Sequence, residues 1–209
     1  MKRAYEGSYC KPIVCAGHSW TTCAVRGFIV SGLFAFLLAA CQNGPTFFDD
    51  PSAIAVLSGT PGSTVHGVVT FVRKGDATLV NANMAGLKPN GTRGMHIHEF
   101  GDCSARDASS AGQHFNPGAS EHGSPDSASH HAGDLGNITA DAKGEVYVSF
   151  EIADGTFGTG NDSIVGRSIV VHAERDDLHT QPAGNSGDRI ACGVILRNPD
   201  RMTYAQAAH

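Results

Sequence analysis

The chain has 209 residues, enough for one ordinary domain plus a targeting segment. Its formal net charge is −5; without the four basic residues and single acid of residues 1–40 it carries 11 Lys and Arg against 19 Asp and Glu, a net of −8. An acidic chain without a basic patch is a poor nucleic-acid binder, and 26 glycines with 7% aromatic residues favour short strands and turns over a helical bundle.

Phe28 to Ala40 is an apolar run behind Arg26, too short for a membrane span but the size of a signal-peptide core. It ends in L-A-A-C. Small residues before a cysteine resemble the lipobox of bacterial lipoproteins, which makes Cys41 the expected lipidated first residue of the mature chain. An ordinary signal peptide or an uncleaved anchor is the alternative. Residues 1–27 make a long leader, with Cys10, Cys15 and Cys23 in no metal-site spacing. A start further down, at Val25, is therefore expected. The expected division is a signal or leader segment over 1–40, a lipid-anchored tether over 41–61 and a folded domain over 62–209. Such a protein is expected in the cell envelope, on the periplasmic side of a membrane.

Thr64 to Arg73 reads as a strand interrupted by Gly67, with Ala77 to Met84 as its partner after the turn at Lys74-Gly75-Asp76. Lys88 to Gly91 is a turn signal. Gly144 to Ile152 alternates most cleanly, with Val146, Val148, Phe150 and Ile152 on one face. Ser168 to Ala173 and Ile190 to Leu196 complete the readable strands. The pattern alone supports an all-β sandwich or barrel.

Between these strands lies a histidine-dense stretch, Gly94 to Asp134. It holds His96, His98, His114, His122 and His131, with Asp134 at its end. Imidazole suits zinc and copper, and a carboxylate can complete a zinc site. His96 and His98 flank Ile97, so on a strand both rings share one face. Gly101 to Asp134 has little apolar periodicity and reads as a long loop that carries ligands.

Two further stretches follow, V-V-H-A with His172 and G-D-R-I-A-C-G-V-I with Arg189 and Cys192. With H-I-H-E-F-G-D-C, G-Q-H-F-N-P and H-A-G-D-L-G-N before them, these motifs, in this order, strongly resemble the copper/zinc superoxide dismutases of the bacterial type, from about Thr64 to Ile195. The resemblance implies a Greek-key β-barrel of about eight antiparallel strands with long metal-binding and electrostatic loops. It implies one copper and one zinc per chain. Copper falls to His96, His98, His114 and His172, and zinc to His114, His122, His131 and Asp134, so that His114 bridges the two. Spacing favours His131 over its neighbour His130 for the zinc role.

The resemblance also implies an activity: two superoxide anions and two protons give oxygen and hydrogen peroxide. Arg189 and His114 become the catalytic residues, Arg189 orienting the anion and His114 passing a proton. Asp176 is expected to link a copper histidine to a zinc histidine, with Asp177 beside it an ordinary turn aspartate. Cys103 and Cys192 are expected to form a disulfide. The loop D-D-L-H-T-Q-P-A-G-N-S-G-D has no lysine to attract an anion, which leaves Lys88, Arg93 and Arg106 as unplaced candidates. His66, His179 and His209 are read as ordinary polar residues. A metal-storing module and a purely structural lipoprotein domain are the rival classes, and the complete ligand set argues against both. The expected assembly is a homodimer or a monomer.

Overall fold

The computed structural model describes residues 52–153 and 157–198. The leader, Cys41 and the tail from residue 199 lie outside the described residues. Among the described residues there are eight strands: β1 (Ala53–Gly59), β2 (His66–Lys74), β3 (Ala77–Ala85), β4 (Thr92–His98), β5 (Asp134–Thr139), β6 (Val146–Ile152), β7 (Ser168–His172) and β8 (Arg189–Arg197). The helical content of the described residues is one 3-10 turn, Ser109–Ala111.

Every ladder is antiparallel, in the order β5-β4-β7-β8-β1-β2-β3-β6. The ends of this order, β5 and β6, lie against each other without a ladder, so the barrel is nearly closed. The links from β3 to β4 and from β6 to β7 cross between its two halves. This is the Greek-key, all-β architecture expected from the sequence.

Strand alternation fills the barrel. Leu57, Val69, Phe71, Val80, Met84, Met95, Ile97, Ile169 and Ile195 form its core, all essentially inaccessible. Each such side chain contributes about 1.5–3 kcal/mol by leaving water. Gly67 interrupts the apolar pattern of β2 because β3 approaches it closely. A Cβ there would sit 2.6 Å from the Met84 Cα, so only glycine keeps the ladder intact.

One boundary differs from the sequence reading. Ala53–Gly59, expected within the tether, is strand β1, paired with both β2 and β8. Its inward residues include Ala53 and Ala55, which are too small to announce a buried face. The Ser-Gly-Thr-Pro-Gly run behind it reads as linker. The folded domain therefore begins no later than Ser52.

β4 is buried on both sides. Met95 and Ile97 enter the core, while His96 and His98 point away from it, beneath the loops that follow β4 and β7. A second, smaller apolar cluster lies on this outer wall: Val170 of β7 and Cys192 of β8 meet Ala108 and Ala111, with Cys103 against them. It seats the long loop on the barrel.

Candidate metal centre

The histidines converge. His96, His98, His114 and His172 form one group, and His114, His122, His131 and Asp134 a second. In each group the potential ligand atoms lie within 4.8 Å of one another, and all seven residues are buried. β4 supplies His96 and His98, β7 ends in His172, and β5 begins with Asp134. His114 lies on the long loop and is pinned by a bridge to His98.

The hydrogen bonds assign one nitrogen of most rings to the protein and leave the other for a ligand. His96 donates through Nε2 to Asp176 Oδ2 at 2.8 Å. His98 and His172 donate through Nδ1 to the carbonyls of Gly112 and Gly187, at 3.0 and 3.1 Å. Their Nε2 atoms face each other at 3.4 Å. His122 donates through Nε2 to Asp176 Oδ1 at 3.0 Å. Buried nitrogens with no hydrogen-bond partner remain at His96 Nδ1, His114 Nε2, His122 Nδ1 and His131 Nδ1. A buried polar atom without a partner costs about 1–3 kcal/mol. Four of them aimed into two adjacent groups is the signature of ligand atoms, and the donor set fits copper and zinc.

Residues 65–195 match the model of the family described as Copper/zinc superoxide dismutase (SODC). The chain belongs to this family. Its members are oxidoreductases that bind copper and zinc, and the two side-chain groups can hold those ions. Among solved structures, the crystal structure of the clock protein EA4 is 37% identical, over 72% of this chain and 98% of that chain, with a TM-score of 0.64.

Electrostatics divides the two groups. In the first, burial pushes the His96 pKa down to about 4, outweighing the hydrogen bond to Asp176. Burial, with charge repulsion from His96, takes His172 to about 3; burial, with repulsion from His114, holds His98 well below its ordinary value. These rings are neutral at pH 7, as metal ligands must be. In the second group, burial works against a charge on His122, but the contacts with Asp134 and Asp176 outweigh it and raise the pKa to about 9. The His122 Nδ1 lies 3.0 Å from Asp134 Oδ1, off the hydrogen-bond direction. Asp134 and Asp176 are held well below the usual carboxylate range: burial opposes their charge, and the bonds they accept from the histidines prevail.

Asp176 is fully buried and accepts from one ring of each group. Asn137 clamps its backbone, accepting from the Asp176 N–H and donating to its carbonyl, each at 2.9 Å. Asp177, read from sequence as an ordinary turn residue, organises the loop after β7. It accepts from the Thr180 N–H and hydroxyl and from Asn185 Nδ2. Gln181 locks this loop to His122, accepting from its N–H at 2.8 Å and donating to its carbonyl at 2.9 Å. Asn137 closes the H-A-G-D-L-G-N motif but its role does not show there, and nothing in the local sequence singles out Gln181, since the partners lie at least 39 residues away.

Arg189 opens β8 and donates to the carbonyls of Ala108 and Gly112, at 2.6 and 2.5 Å. Together with His98, His114 and His172 it lines a cavity of about 230 Å³. The Cys103–Cys192 disulfide holds the loop carrying both carbonyls to β8, with a Cα–Cα distance of 5.8 Å across 89 residues of sequence. Closing so long a loop is worth up to roughly 4–5 kcal/mol in the chain-entropy model. His131, not His130, joins the second group; His130 is half-buried outside it, while His66 and His179 are exposed.

Proposed function

We propose that the chain dismutates superoxide, with copper held by His96, His98, His114 and His172, zinc by His114, His122, His131 and Asp134, and His114 shared between them. The observation that carries the reading is the position of His114. It belongs to both groups, its Nδ1 lies 2.8 Å from Asp134 Oδ1, and its Nε2 has no partner. Bound copper supplies the one-electron couple, and zinc is a redox-inert anchor.

The chain's own residues do the rest. Arg189 keeps its charge and offers several donors, which suits it to orient a small anion. Its two carbonyl contacts fix the plane of the guanidinium. His114 Nε2, whenever it is not serving as a ligand, can hold a proton and pass it to the substrate as a general acid. Asp176 and the backbone carbonyls set ring orientation and tautomer for the neighbouring histidines.

We further infer export to the periplasmic side of the cell envelope, lipid attachment at Cys41 and protection of that compartment from superoxide. The lipobox-like L-A-A-C supports this, as does the Cys103–Cys192 disulfide, since disulfides persist in oxidising compartments. Labelling with a radioactive fatty acid should mark the wild type and not Cys41→Ser.

The decisive experiment assays dismutation by the copper- and zinc-loaded protein with and without cyanide. Cyanide-sensitive activity is expected. Inactivity at full occupancy of both metals would overturn the reading.

A further inference from the structure

We propose, resting on the ligand assignment above, that Arg167 is a positioning residue for the copper site: it holds His98 and the shared His114 in register with each other. Arg167 belongs to neither side-chain group and does not line the metal cavity. Any influence on a bound ion must therefore pass through the residues it touches.

His98 ends strand β4, but His114 lies on the loop between β4 and β5, whose regular structure is one 3-10 turn. A ring that serves two ions has to be held within about 0.5 Å of its working position. Backbone bonds supply part of that restraint. Phe115 donates its N–H to the Ile97 carbonyl and accepts from the Gly133 N–H, both at 2.8 Å. Ile97 in turn donates to the Gly133 carbonyl at 2.9 Å. Ile97 stands between His96 and His98, Phe115 follows His114, and Gly133 precedes Asp134. Both groups thus hang on one small backbone ladder, and Phe115 is a member of it.

Arg167 grips this ladder. Its guanidinium carbon lies 4.4 Å from the centre of the buried Phe115 ring, where the ring's quadrupole attracts a cation. Its Nη1 donates to the Glu99 carbonyl at 2.5 Å. Glu99 follows His98 and is clipped twice to Gln113, the residue before His114. It donates its N–H to the Gln113 carbonyl at 2.9 Å, and its Oε2 accepts from the Gln113 N–H at 3.0 Å. One planar cation therefore touches the residue after His98 and the residue after His114. Its Nε and Nη2 donate to the carbonyls of Ser163 and Asn161, at 3.2 and 3.3 Å, which fixes the plane of the fork. The next residue, Ser168, donates its hydroxyl to the Phe100 carbonyl at 2.8 Å and opens β7, the strand that ends in His172. Of the assigned ligands, His98 and His114 neighbour a residue that Arg167 touches: two of the copper set and one of the zinc set. Stacking and forked donation at once is work for a guanidinium, which an ammonium does only in part.

The test compares wild type, Arg167→Gln and Arg167→Lys. Copper and zinc dissociation constants come from chelator competition, the Cu(II) spectrum from electron paramagnetic resonance of the copper- and zinc-loaded protein, and Tm from the metal-free protein. Arg167→Gln should weaken copper binding about tenfold to a hundredfold, as outer partners of metal ligands do. It should weaken zinc binding by a smaller factor and alter the Cu(II) spectrum. Arg167→Lys keeps a cation for Phe115 without the fork, so it should recover part of the copper affinity and still differ from wild type in its spectrum. A purely structural arginine would lower Tm and leave the copper constant and spectrum as in wild type; that result in either folded variant overturns the proposal. Equal weakening of both metals in Arg167→Gln overturns it too. If Arg167→Gln does not fold, the Arg167→Lys spectrum and copper constant decide. A wild-type Cu(II) spectrum without nitrogen coordination would instead overturn the ligand assignment, and inactivity of the fully loaded wild type would overturn the dismutase reading alone.

Discussion

Arg189 and His98 share one acceptor, the carbonyl of Gly112, which receives the guanidinium at 2.5 Å and the imidazole Nδ1–H at 3.0 Å. The anion-orienting cation and a proposed copper ligand are therefore set by the same backbone atom. Gly112 has φ +77, and a Cβ there would meet Glu99 Oε2 and the Phe100 ring at 2.7 Å. Both features demand glycine. Gly112→Ala should lower copper affinity more than zinc affinity, because the Gly112 carbonyl orients His98, a ligand proposed for copper alone. Chelator competition for each metal checks this, and an equal loss of both metals would show a general unfolding instead.

Arg189→Glu keeps the seven ligands and reverses the charge beside them. Hydrogen bonds to a charged group are worth about 1.5–3 kcal/mol, so the rate should fall roughly tenfold to a hundredfold. Metal content should stay near normal, since the arginine binds carbonyls and no histidine directly. A rate equal to wild type at equal copper would remove Arg189 from the mechanism.

Asp176 joins the two groups through one carboxylate, with His96 on Oδ2 and His122 on Oδ1. Asp176→Asn replaces one acceptor oxygen by a donating amide, so one of the two rings loses its partner. Outer partners of this kind are worth about 10–100-fold in metal affinity. Asp176→Asn should weaken binding by that order, read from metal dissociation constants, while the fold survives because Asn137 still clamps the backbone. Unchanged constants for both metals would make Asp176 merely structural.

The two side-chain groups were legible partly through local spacing and partly through the resemblance, which alone brought in His114, His122 and His172. His96 and His98 sit on one face of one strand, and His131 and Asp134 lie one turn apart. Strand β6 showed plainly, since Val146 and Ile152 are large and alternate with Tyr147, Ser149 and Glu151. Strand β1 hid behind small inward alanines, and β5 behind the Gly-containing ligand motif in which it begins. Lys88, Arg93 and Arg106 were visible as charges, but their meeting in one groove is a property of three segments folded together. The bracing by Asn137 and Gln181 was invisible for the same reason.

The metal-free protein should be most stable near pH 6.5. His122 titrates at about 9 in the fold against an ordinary 6.5. Its contribution is complete below pH 6.5 and is lost as pH rises through 9. His96 and His172 titrate at about 4 and about 3 in the fold. Below pH 6.5 the unfolded chain takes up protons that these buried rings refuse, so stability also falls toward acid. The depressed carboxylates of Asp134 and Asp176 add to the acid loss once the pH drops below their ordinary range. Zinc needs a neutral His122 and must expel its proton below pH 9. Zinc affinity should therefore rise with pH up to that point, moving the stability maximum to higher pH when the ion is added. Thermal unfolding from pH 4 to 10, with and without zinc, measures both effects. A metal-free Tm that climbs steadily through pH 9 would mean that His122 is neutral in the fold, and that its two aspartate contacts do not hold a charge.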